Sequence, residues 1–316
     1  MNYESIHKPV LLKEVISYLK LKKGDVIFDG TLGGAGHTIE IIKVIAPIGI
    51  LIGVDLDSQA ISTATRILQS RNILNNFIFV NDNFSNVTNI LKKLKINKIN
   101  GFLLDLGLSS NQIEKSGRGF SYLKNEKLDM RFGIGGTLNA CKVINEYPED
   151  KLREIFYKYG EERWSSRIAR KLIDYRKTQN IEYTGQLADI IKSAIPVKSF
   201  GYRKGNPAKR IFQAIRIEVN RELKNLEKAI DEGIEVIESG GRMVIISYHS
   251  LEDRIVKRKF ESLSGKCTCP PDFPVCRCGA VKKGSIITKK AVKPSQAEIA
   301  ENPRSKSARL RVFEKN

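Results

Sequence analysis

Four short apolar runs, each followed by acidic residues or glycine, constrain the fold of this chain more than any other feature. They read "DVIFDG", "GILIGVDLD", "NFIFVNDN" and "INGFLLDLG", and each has the length and composition of a buried strand. Segments with helical spacing, such as "HTIEIIKVIA" and "SQAISTATRILQS", separate them. Strands that alternate with helices predict an α/β fold with a parallel sheet covered on both faces.

The alternation stops after Gly107. Residues 111–205 show helical patterns but no convincing strand, and strand signals return in "GGRMVIISYHS" and "ARLRVFE". Apolar residues from Ile211 to Ile237 recur at steps of three and four, which predicts one long amphipathic helix closed by Gly240 and Gly241. We therefore predict a discontinuous α/β domain, residues 1–110 and 206–316, with an all-helical insertion over 111–205.

The chain is strongly basic. It has 54 Lys and Arg against 35 Asp and Glu, a net charge of +19, which favours nucleic acid as a partner unless codon usage alone explains the lysines. Two clusters combine cations with aromatic or small residues in a way that suits RNA, although any one of these residues alone fits a solvated surface equally well. The predicted RNA-binding residues are Arg203, Lys204, Lys209, Arg210, Arg304 and Lys306.

Neither a signal-peptide pattern nor an apolar stretch of membrane-spanning length is visible, so we expect a cytoplasmic protein without a membrane partner. Four of the five cysteines lie in "CTCPPDFPVCRCG", as Cys267, Cys269, Cys276 and Cys278. Their thiols are expected to be reduced. Zinc is the alternative to a surface loop with spare thiols, but Cys-x-Cys spacing is unusual for structural zinc, so no metal is predicted.

A glycine cluster follows the first strand in "DGTLGGAGHT". Gly33, Gly34 and Gly36 would let the backbone of the first βα turn approach a cofactor, although a tight turn that needs positive φ would also use glycine. A dinucleotide fingerprint requires a third glycine where Ile39 stands, so the pattern favours an S-adenosylmethionine site instead. Asp55, at the end of the second strand, is placed to accept hydrogen bonds from ribose hydroxyls.

Other strand ends add candidates for the same edge of the sheet. Phe84 follows the third strand and could stack on adenine or belong to the core, while Asp105 ends the fourth strand and Gln112 follows it. In "SYHSLEDR", His249 could relay a proton from the substrate. The alternative is that this turn caps the next helix, since Ser250 and Asp253 have the spacing of a capping box.

Eight short sequence blocks, in the same order as in a known family, make the resemblance of this chain to that family specific. They are "HKPVLLKEV", "DGTLGGAGHT", "LLDLGLSS", "RGFSY", "LDMRF", "NPAKRIFQAIRIEVN", "HSLEDRIVK" and "KPSQAEIAENPRSKSARLR". From about residue 6 to 314 the chain resembles the bacterial 16S ribosomal RNA (cytosine-N4)-methyltransferase family. The resemblance implies a Rossmann-like, S-adenosylmethionine-dependent methyltransferase fold with a helical insertion that recognises substrate, acting on 16S RNA or the small ribosomal subunit.

Carried over by position, the family's cofactor site falls on Ala35, Gly36, His37, Asp55, Phe84, Asp105 and Gln112. The chain departs from the expected pattern at Asn111 and Gly117, close to Gln112. Asp105 is the first candidate for contacting N4 or orienting the methyl donor, and His249 is the second. A methyltransferase for DNA or another RNA, a non-catalytic assembly factor, and a homodimer through the long helix stay open at this point.

Overall fold

The computed structural model describes residues 9–114, 116–133, 135–196, 206–267 and 281–316, together with Cys269, Phe273, Val275 and Arg277. The chain divides into two compact units. The first unit consists of residues 1–107 and 223–316, and the second consists of residues 108–222. The chain therefore leaves the first unit after its fourth strand and returns to it more than 100 residues later.

The first unit is built on one seven-stranded sheet. Its strands are β1 (Val26–Asp29), β2 (Ile50–Asp55), β3 (Phe77–Asn81), β4 (Ile99–Asp105), β5 (Ile237–Ser247), β6 (Gly284–Ile286) and β7 (Arg309–Lys315). Their order in the sheet is β3-β2-β1-β4-β5-β7-β6, in which β1 to β5 run parallel and β7 is antiparallel to both neighbours. The strand order reverses between β1 and β4, and such a switch point is where open α/β sheets bind ligands.

Alternate side chains of the strands build a core on each face of the sheet. Ile27 packs into one core and its neighbour Phe28 into the other, because successive side chains of a strand point to opposite faces. Helices α1 (Leu12–Leu19), α2 (Gly36–Ile45) and α3 (Ser58–Ser70) cover the Ile27 face. Helices α4 (Val87–Lys93), α11 (Glu222–Val236) and α12 (Ser250–Leu263) cover the Phe28 face. The predicted Rossmann-like α/β fold is confirmed.

Helices make up the regular structure of the second unit, among its described residues. They are α5 (Ser110–Glu114), α6 (Ala140–Glu146), α7 (Glu149–Lys158), α8 (Ser165–Arg176), α9 (Thr184–Ala194) and α10 (Pro207–Asn220). The unit has its own apolar core, in which Phe156, Ile168 and Leu187 are completely buried. A separate core explains why this segment forms a compact unit, which we call the helical unit.

The helical unit ends later than we expected from the sequence. Its boundary lies at residue 222 rather than 205, because α10 contributes Ile211, Phe212 and Ile215 to the core of the helical unit. The fragment that returns to the sheet begins at Leu223.

The prediction of one long helix from Ile211 to Ile237 is wrong. Arg221 adopts a left-handed conformation with φ of 52° and ends α10, and α11 begins at the next residue. The apolar stripe continues across this break, but its two halves enter different cores. Both halves of the stripe are buried within the protomer, and the homodimer stays a prediction.

Gly240 and Gly241 lie within β5 and do not close a helix. Gly240 has a φ of +79°, and a Cβ on Gly241 would lie 2.7 Å from the carbonyl oxygen of Asn100 on β4. The pairing register of β4 and β5 shifts at this point, so the glycines serve an irregular strand start. Among the described helices, which also include α13 (Gln296–Glu301), we find none long and apolar enough to cross a bilayer.

Candidate active site at the carboxyl ends of the strands

The turn between β1 and α2 is organised by Asp29. Its side chain is buried and accepts hydrogen bonds from the Thr38 hydroxyl, at 2.8 Å, and from the Thr31 amide, at 3.1 Å. Burial is the largest influence on this carboxyl group and raises its pKa. Because Thr31 opens the turn and Thr38 lies in the first turn of α2, Asp29 fastens both ends of the glycine segment.

The glycines of this turn have different functions. A Cβ on Gly30 would lie 2.5 Å from Leu104, and one on Gly36 would lie 3.0 Å from the Pro9 ring, so these two positions are restricted by packing. Gly33 has a φ of +47°. A Cβ on exposed Gly34 would meet no described atom within 4 Å. Gly34 is therefore the position where bare backbone is open to a ligand.

Ala35, the first cofactor residue implied by the resemblance, is buried and left-handed, with φ of 60°. Its amide donates to the carbonyl oxygen of Leu32 at 2.8 Å. The methyl group faces the core, so any contact with a cofactor at this position would come from the backbone.

Asp55 ends β2 beside the glycine turn. Its Oδ2 accepts the amide of Gly33 at 2.9 Å and its Oδ1 accepts the amide of Asp57 at 2.8 Å. Burial is the main reason that the pKa of Asp55 rises to about 6. Each oxygen has a second lone pair that suits the hydroxyl groups of a ribose. The two backbone bonds fix the carboxylate beside the turn, so the donor set fits a nucleoside cofactor.

Phe84, the predicted adenine contact, follows β3. It begins a short 3₁₀ helix, Phe84–Asn86, just after β3, and its side chain is half-buried. A Cβ on Gly30 would come within 2.8 Å of the Phe84 Cβ, so the absence of a side chain at Gly30 lets Phe84 approach the end of β1. Stacking on adenine remains a prediction.

Asp105 is the last residue of β4 and lies at the switch point. Its amide donates to the Thr31 hydroxyl at 2.7 Å, which joins β4 to the glycine turn. The side chain keeps 22% of its surface exposed, so one part of the carboxylate is accessible to a ligand. Burial of the remainder raises the pKa of Asp105 to about 7. The group is therefore close to half ionised at neutral pH.

His37 lies beside Asp105 without forming an ion pair with it. Burial lowers the pKa of the imidazole, so the ring is neutral at pH 7. Its Nε2 lies 3.0 Å from the carbonyl oxygen of Val10, which can only accept, and this assigns the proton to Nε2. The unprotonated Nδ1 then faces Asp105 Oδ2 at 3.8 Å. His37 thus helps to desolvate Asp105 and anchors the segment at Val10.

Tyr248 belongs to this site, although it was not among the residues predicted from the sequence. Its hydroxyl donates to Asp105 Oδ1 at 2.7 Å. Burial raises the pKa of Tyr248 well above its ordinary value, so the hydroxyl stays protonated as a donor. Its ring packs close to Gly107, where a Cβ would lie 3.2 Å from the ring. The sequence feature that could have identified Tyr248 is its position directly after β5, the strand that neighbours β4 and its last residue Asp105.

His249 has a structural function at the start of α12. It is the N-cap residue, and its Nδ1 accepts the Glu252 amide at 3.4 Å while the Glu252 carboxylate accepts the His249 amide at 3.3 Å. The predicted capping box is therefore present, but one residue earlier than the predicted pair of Ser250 and Asp253. The imidazole is engaged with α12, and its proposed function in proton transfer stays a prediction.

Gln112 lies in the helical unit. It is buried on α5. Its side-chain Oε1 accepts a hydrogen bond from the Ser109 backbone amide at 3.0 Å, and its backbone amide donates to the Ser109 hydroxyl at 3.2 Å. These bonds close the start of α5. The cofactor contact implied for Gln112 stays a prediction.

The predicted RNA-binding residues differ in their surroundings. Arg210 bonds to Glu162, which is completely buried, with 2.7 Å between Nε and Oε2, so its charge is used inside the helical unit. Lys209, Arg304 and Lys306 are exposed. Arg203 and Lys204 lie outside the described residues.

The cysteine cluster is only partly described. Cys267 is exposed and Cys269 is half-buried, whereas Cys276 and Cys278 lie outside the described residues. The prediction that this segment binds no metal stays untested.

Carboxylates held in this way around a switch point are typical of the cofactor domain of a Rossmann-like enzyme. The chain belongs to the MraW methylase family, whose model matches residues 4–316. The predicted family is thereby confirmed, and the enzyme class is a methyltransferase.

Named relatives match almost the whole chain. A ribosomal RNA small subunit methyltransferase H from Clostridium botulinum is 48% identical over 309 residues, and one from Acetivibrio thermocellus is 49% identical over 311 residues, with 98% of each chain covered in both cases. Among solved structures, an rRNA methylase from Streptococcus thermophilus overlays with a TM-score of 0.43 and 10% identity, over 96% of this chain and 93% of that chain.

Proposed function

We propose that this protein transfers a methyl group from S-adenosylmethionine to the exocyclic N4 of a cytidine in 16S ribosomal RNA. Membership of the methylase family over residues 4–316, with relatives named as small-subunit RNA methyltransferases, is the observation that carries the proposal. The donor set at the switch point is compatible with it, because it offers carboxylates to ribose and amine groups. We infer that the protein works in the cytoplasm on 16S RNA or on the small ribosomal subunit.

When bound, S-adenosylmethionine supplies an activated methyl group on its sulfonium. Asp55 accepts hydrogen bonds from the ribose hydroxyls, since the backbone amides of Gly33 and Asp57 already hold both of its oxygens in place. Gly34 offers bare backbone, and Phe84 provides an aromatic ring at the neighbouring strand end. This part of the site orients the donor, and fixed orientation is a large share of what an enzyme contributes to a transfer between two bound groups.

Asp105 acts on an N–H group. Tyr248 binds Oδ1, and Oδ2 lies beyond hydrogen-bond distance of His37, so we assign Oδ2 to the ligand. The lone pair of a cytosine amine is delocalised into the ring, and a carboxylate that accepts an N–H bond localises that pair as transfer begins. The same oxygen could instead hold the ammonium group of the methyl donor. The two assignments differ in which kinetic constant they affect.

Recognition of RNA requires more than this pocket. The helical unit carries Trp164, whose ring lies 5.0 Å from the Arg163 guanidinium and 5.8 Å from that of Arg167. Guanidinium groups beside an aromatic ring suit unpaired bases and phosphates. We infer that the helical unit recognises the RNA substrate.

The proposal is tested by transfer of tritium from labelled S-adenosylmethionine. The acceptors are undermethylated small subunits, naked 16S RNA, tRNA and DNA. The labelled product is then digested and its nucleosides are identified. Label in N4-methylcytidine from the subunit or its RNA is expected. Label confined to DNA or tRNA would contradict the substrate assignment. Binding of S-adenosylmethionine without transfer to any acceptor would favour an assembly factor.

A further inference from the structure

A basic groove runs along the edge of the sheet, away from the switch point. It is enclosed by α12, β6 and β7, and its volume is about 440 Å³. Among the described residues, five cations and one acid line it: Lys257, Lys266, Lys282, Lys289, Arg311 and Glu261. We call this feature the edge groove.

The cations of the edge groove are only partly neutralised. Glu261 lies 3.3 Å from Lys266, and Arg311 bonds to Asp253 with 2.6 Å between Nε and Oδ1. The other three lysines, Lys257, Lys282 and Lys289, are exposed and form no ion pair with any described residue. An excess of three positive charges around one concave surface therefore faces solvent. A concave surface lined by one sign of charge concentrates the field and attracts ions of opposite sign.

The chemistry of the lining suits a phosphodiester chain. Lysine ammonium groups are compact charges on flexible stems, which bind phosphate oxygens without a fixed planar geometry. Ser285 also lines the groove and is exposed, and hydroxyl groups are common phosphate contacts in nucleic-acid complexes. The hydroxyl of Ser264 is already bonded to the carbonyl oxygen of Glu261. Because the proposed substrate is RNA, a phosphodiester chain is the polyanion that this charge matches.

The edge groove is separate from the reaction centre. β6 is three positions from β4 in the sheet, which at about 4.8 Å per strand amounts to roughly 14 Å. A cytidine at Asp105 could not also occupy the groove, but neighbouring nucleotides of the same RNA could. We propose that the edge groove binds backbone phosphates of the ribosomal RNA that flank the target cytidine. This inference rests on the proposed function.

The test compares two triple variants that lose the same charge. The groove variant is Lys257→Gln, Lys282→Gln and Lys289→Gln, and the control is Lys23→Gln, Lys92→Gln and Lys93→Gln, which are exposed lysines outside the groove. Dissociation constants for naked 16S RNA and for the undermethylated subunit are measured over a range of salt concentrations. S-adenosylmethionine affinity, measured without RNA, reports that each variant is folded.

The groove variant should bind 16S RNA at least about tenfold more weakly than wild type. Its slope of log affinity against log salt should be smaller by about two, because each lost phosphate contact removes roughly 0.7 to 0.9 from that slope. The control should change much less in both quantities. Groove and control variants with equal affinities and equal slopes would overturn the proposal.

Two further outcomes are informative. Weaker binding of the assembled subunit with unchanged binding of naked 16S RNA would assign the groove to a ribosomal protein, and would also overturn the proposal. A wild-type protein that binds 16S RNA but methylates it neither as naked RNA nor in the undermethylated subunit would contradict the proposed function instead. The RNA-binding comparison would then still decide whether the groove contacts phosphate.

Discussion

The switch-point site and the edge groove lie in the same unit and handle charge in opposite ways. The carboxylates of Asp29, Asp55 and Asp105 are largely withdrawn from solvent, and each accepts hydrogen bonds from amide or hydroxyl groups at fixed distances. The lysines of the edge groove are exposed and keep their charge in water. The energy of a buried charge depends on the few atoms that contact it and little on salt, whereas the energy of an exposed charge depends on ionic strength. The positive net charge of the chain is therefore present at exposed surfaces such as the edge groove and not at the acidic site.

The largest effect should come from Asp105. Asp105→Asn keeps the shape but removes the charge, and we expect turnover to fall by about 10²- to 10³-fold, equally at low and high salt. Steady-state kinetics at saturating concentrations of both substrates measures this. If Asp105 contacts the cytosine amine, the Kd of S-adenosylmethionine stays within a few-fold of wild type; if it holds the donor, that Kd rises.

Asp174→Asn, on the exposed surface of α8, is the matched control for loss of a carboxylate. A turnover of Asp105→Asn equal to that of this control would show that the buried carboxylate has no part in catalysis. A loss of activity that disappears in high salt would instead contradict the contrast between the two regions.

Gly34 offers the next largest effect. Gly34→Val adds a side chain where bare backbone faces the ligand, and S-adenosylmethionine affinity should fall about tenfold or more with little change in thermal stability. Gly135→Val is the control, because a Cβ there also meets no described atom within 4 Å. Calorimetric titration and thermal melting measure the two quantities.

Gly36→Val should behave differently, because its side chain would collide with Pro9. Lower thermal stability is the expected result there. Wild-type cofactor affinity in Gly34→Val would show that the glycine turn serves the backbone alone.

Tyr248→Phe should have a moderate and pH-dependent effect. The hydroxyl stabilises ionised Asp105, so its removal raises the pKa of Asp105 above the present value of about 7. The acid side of the pH-rate profile should therefore move to higher pH by about one unit. Activity should fall several-fold at pH 6.5 and recover towards wild type at pH 8.5. An unshifted profile would mean that Tyr248 only fills space beside Gly107.

The smallest effect concerns stability. The carboxyl group of Asp105 has a folded-state pKa of about 7, above its ordinary 3.8, so the native protein binds more protons between those values. Its stabilising contribution is complete below about pH 4 and is lost as pH rises through 7. The side chain of the Asp105→Asn variant cannot ionise. Between pH 5 and pH 8 this variant should therefore lose about 2 kcal/mol less free energy of unfolding than wild type. Parallel pH profiles for the two proteins, in denaturant titrations without ligand, would contradict this.

Strand ends were the most predictable part of the molecule. The second and fourth strands end at Asp55 and Asp105, the acidic residues predicted for the site, because a buried parallel strand is a short apolar run and its ligand groups follow it. Asp55 and Asp105 were found in this way. Tyr248 was not found, since a tyrosine after a strand is usually part of the core and its partner lies 143 residues away.

Pairing of charges and breaks in helices were not predictable from the pattern. Arg210 looks like an RNA contact in a basic sequence, but its carboxylate partner, Glu162, comes from another element. The break at Arg221 is invisible because the apolar spacing runs through it while the two helices enter different cores. Tertiary partners, not local sequence, decide both features, and RNA binding by Arg210 stays a prediction.

The placement of the helical unit between β4 and β5 has a consequence for synthesis on the ribosome. β4 is a central strand whose partner on one side, β5, is encoded after the whole helical unit. At about 5–20 residues per second, 100 residues take roughly 5–20 s to translate. During that interval the nascent sheet has an open edge at β4, while the helical unit can already assemble its own core. Because of this order of elements along the chain, the sheet is completed late in synthesis. A chaperone would protect most surface at the stage when β4 is still an open edge.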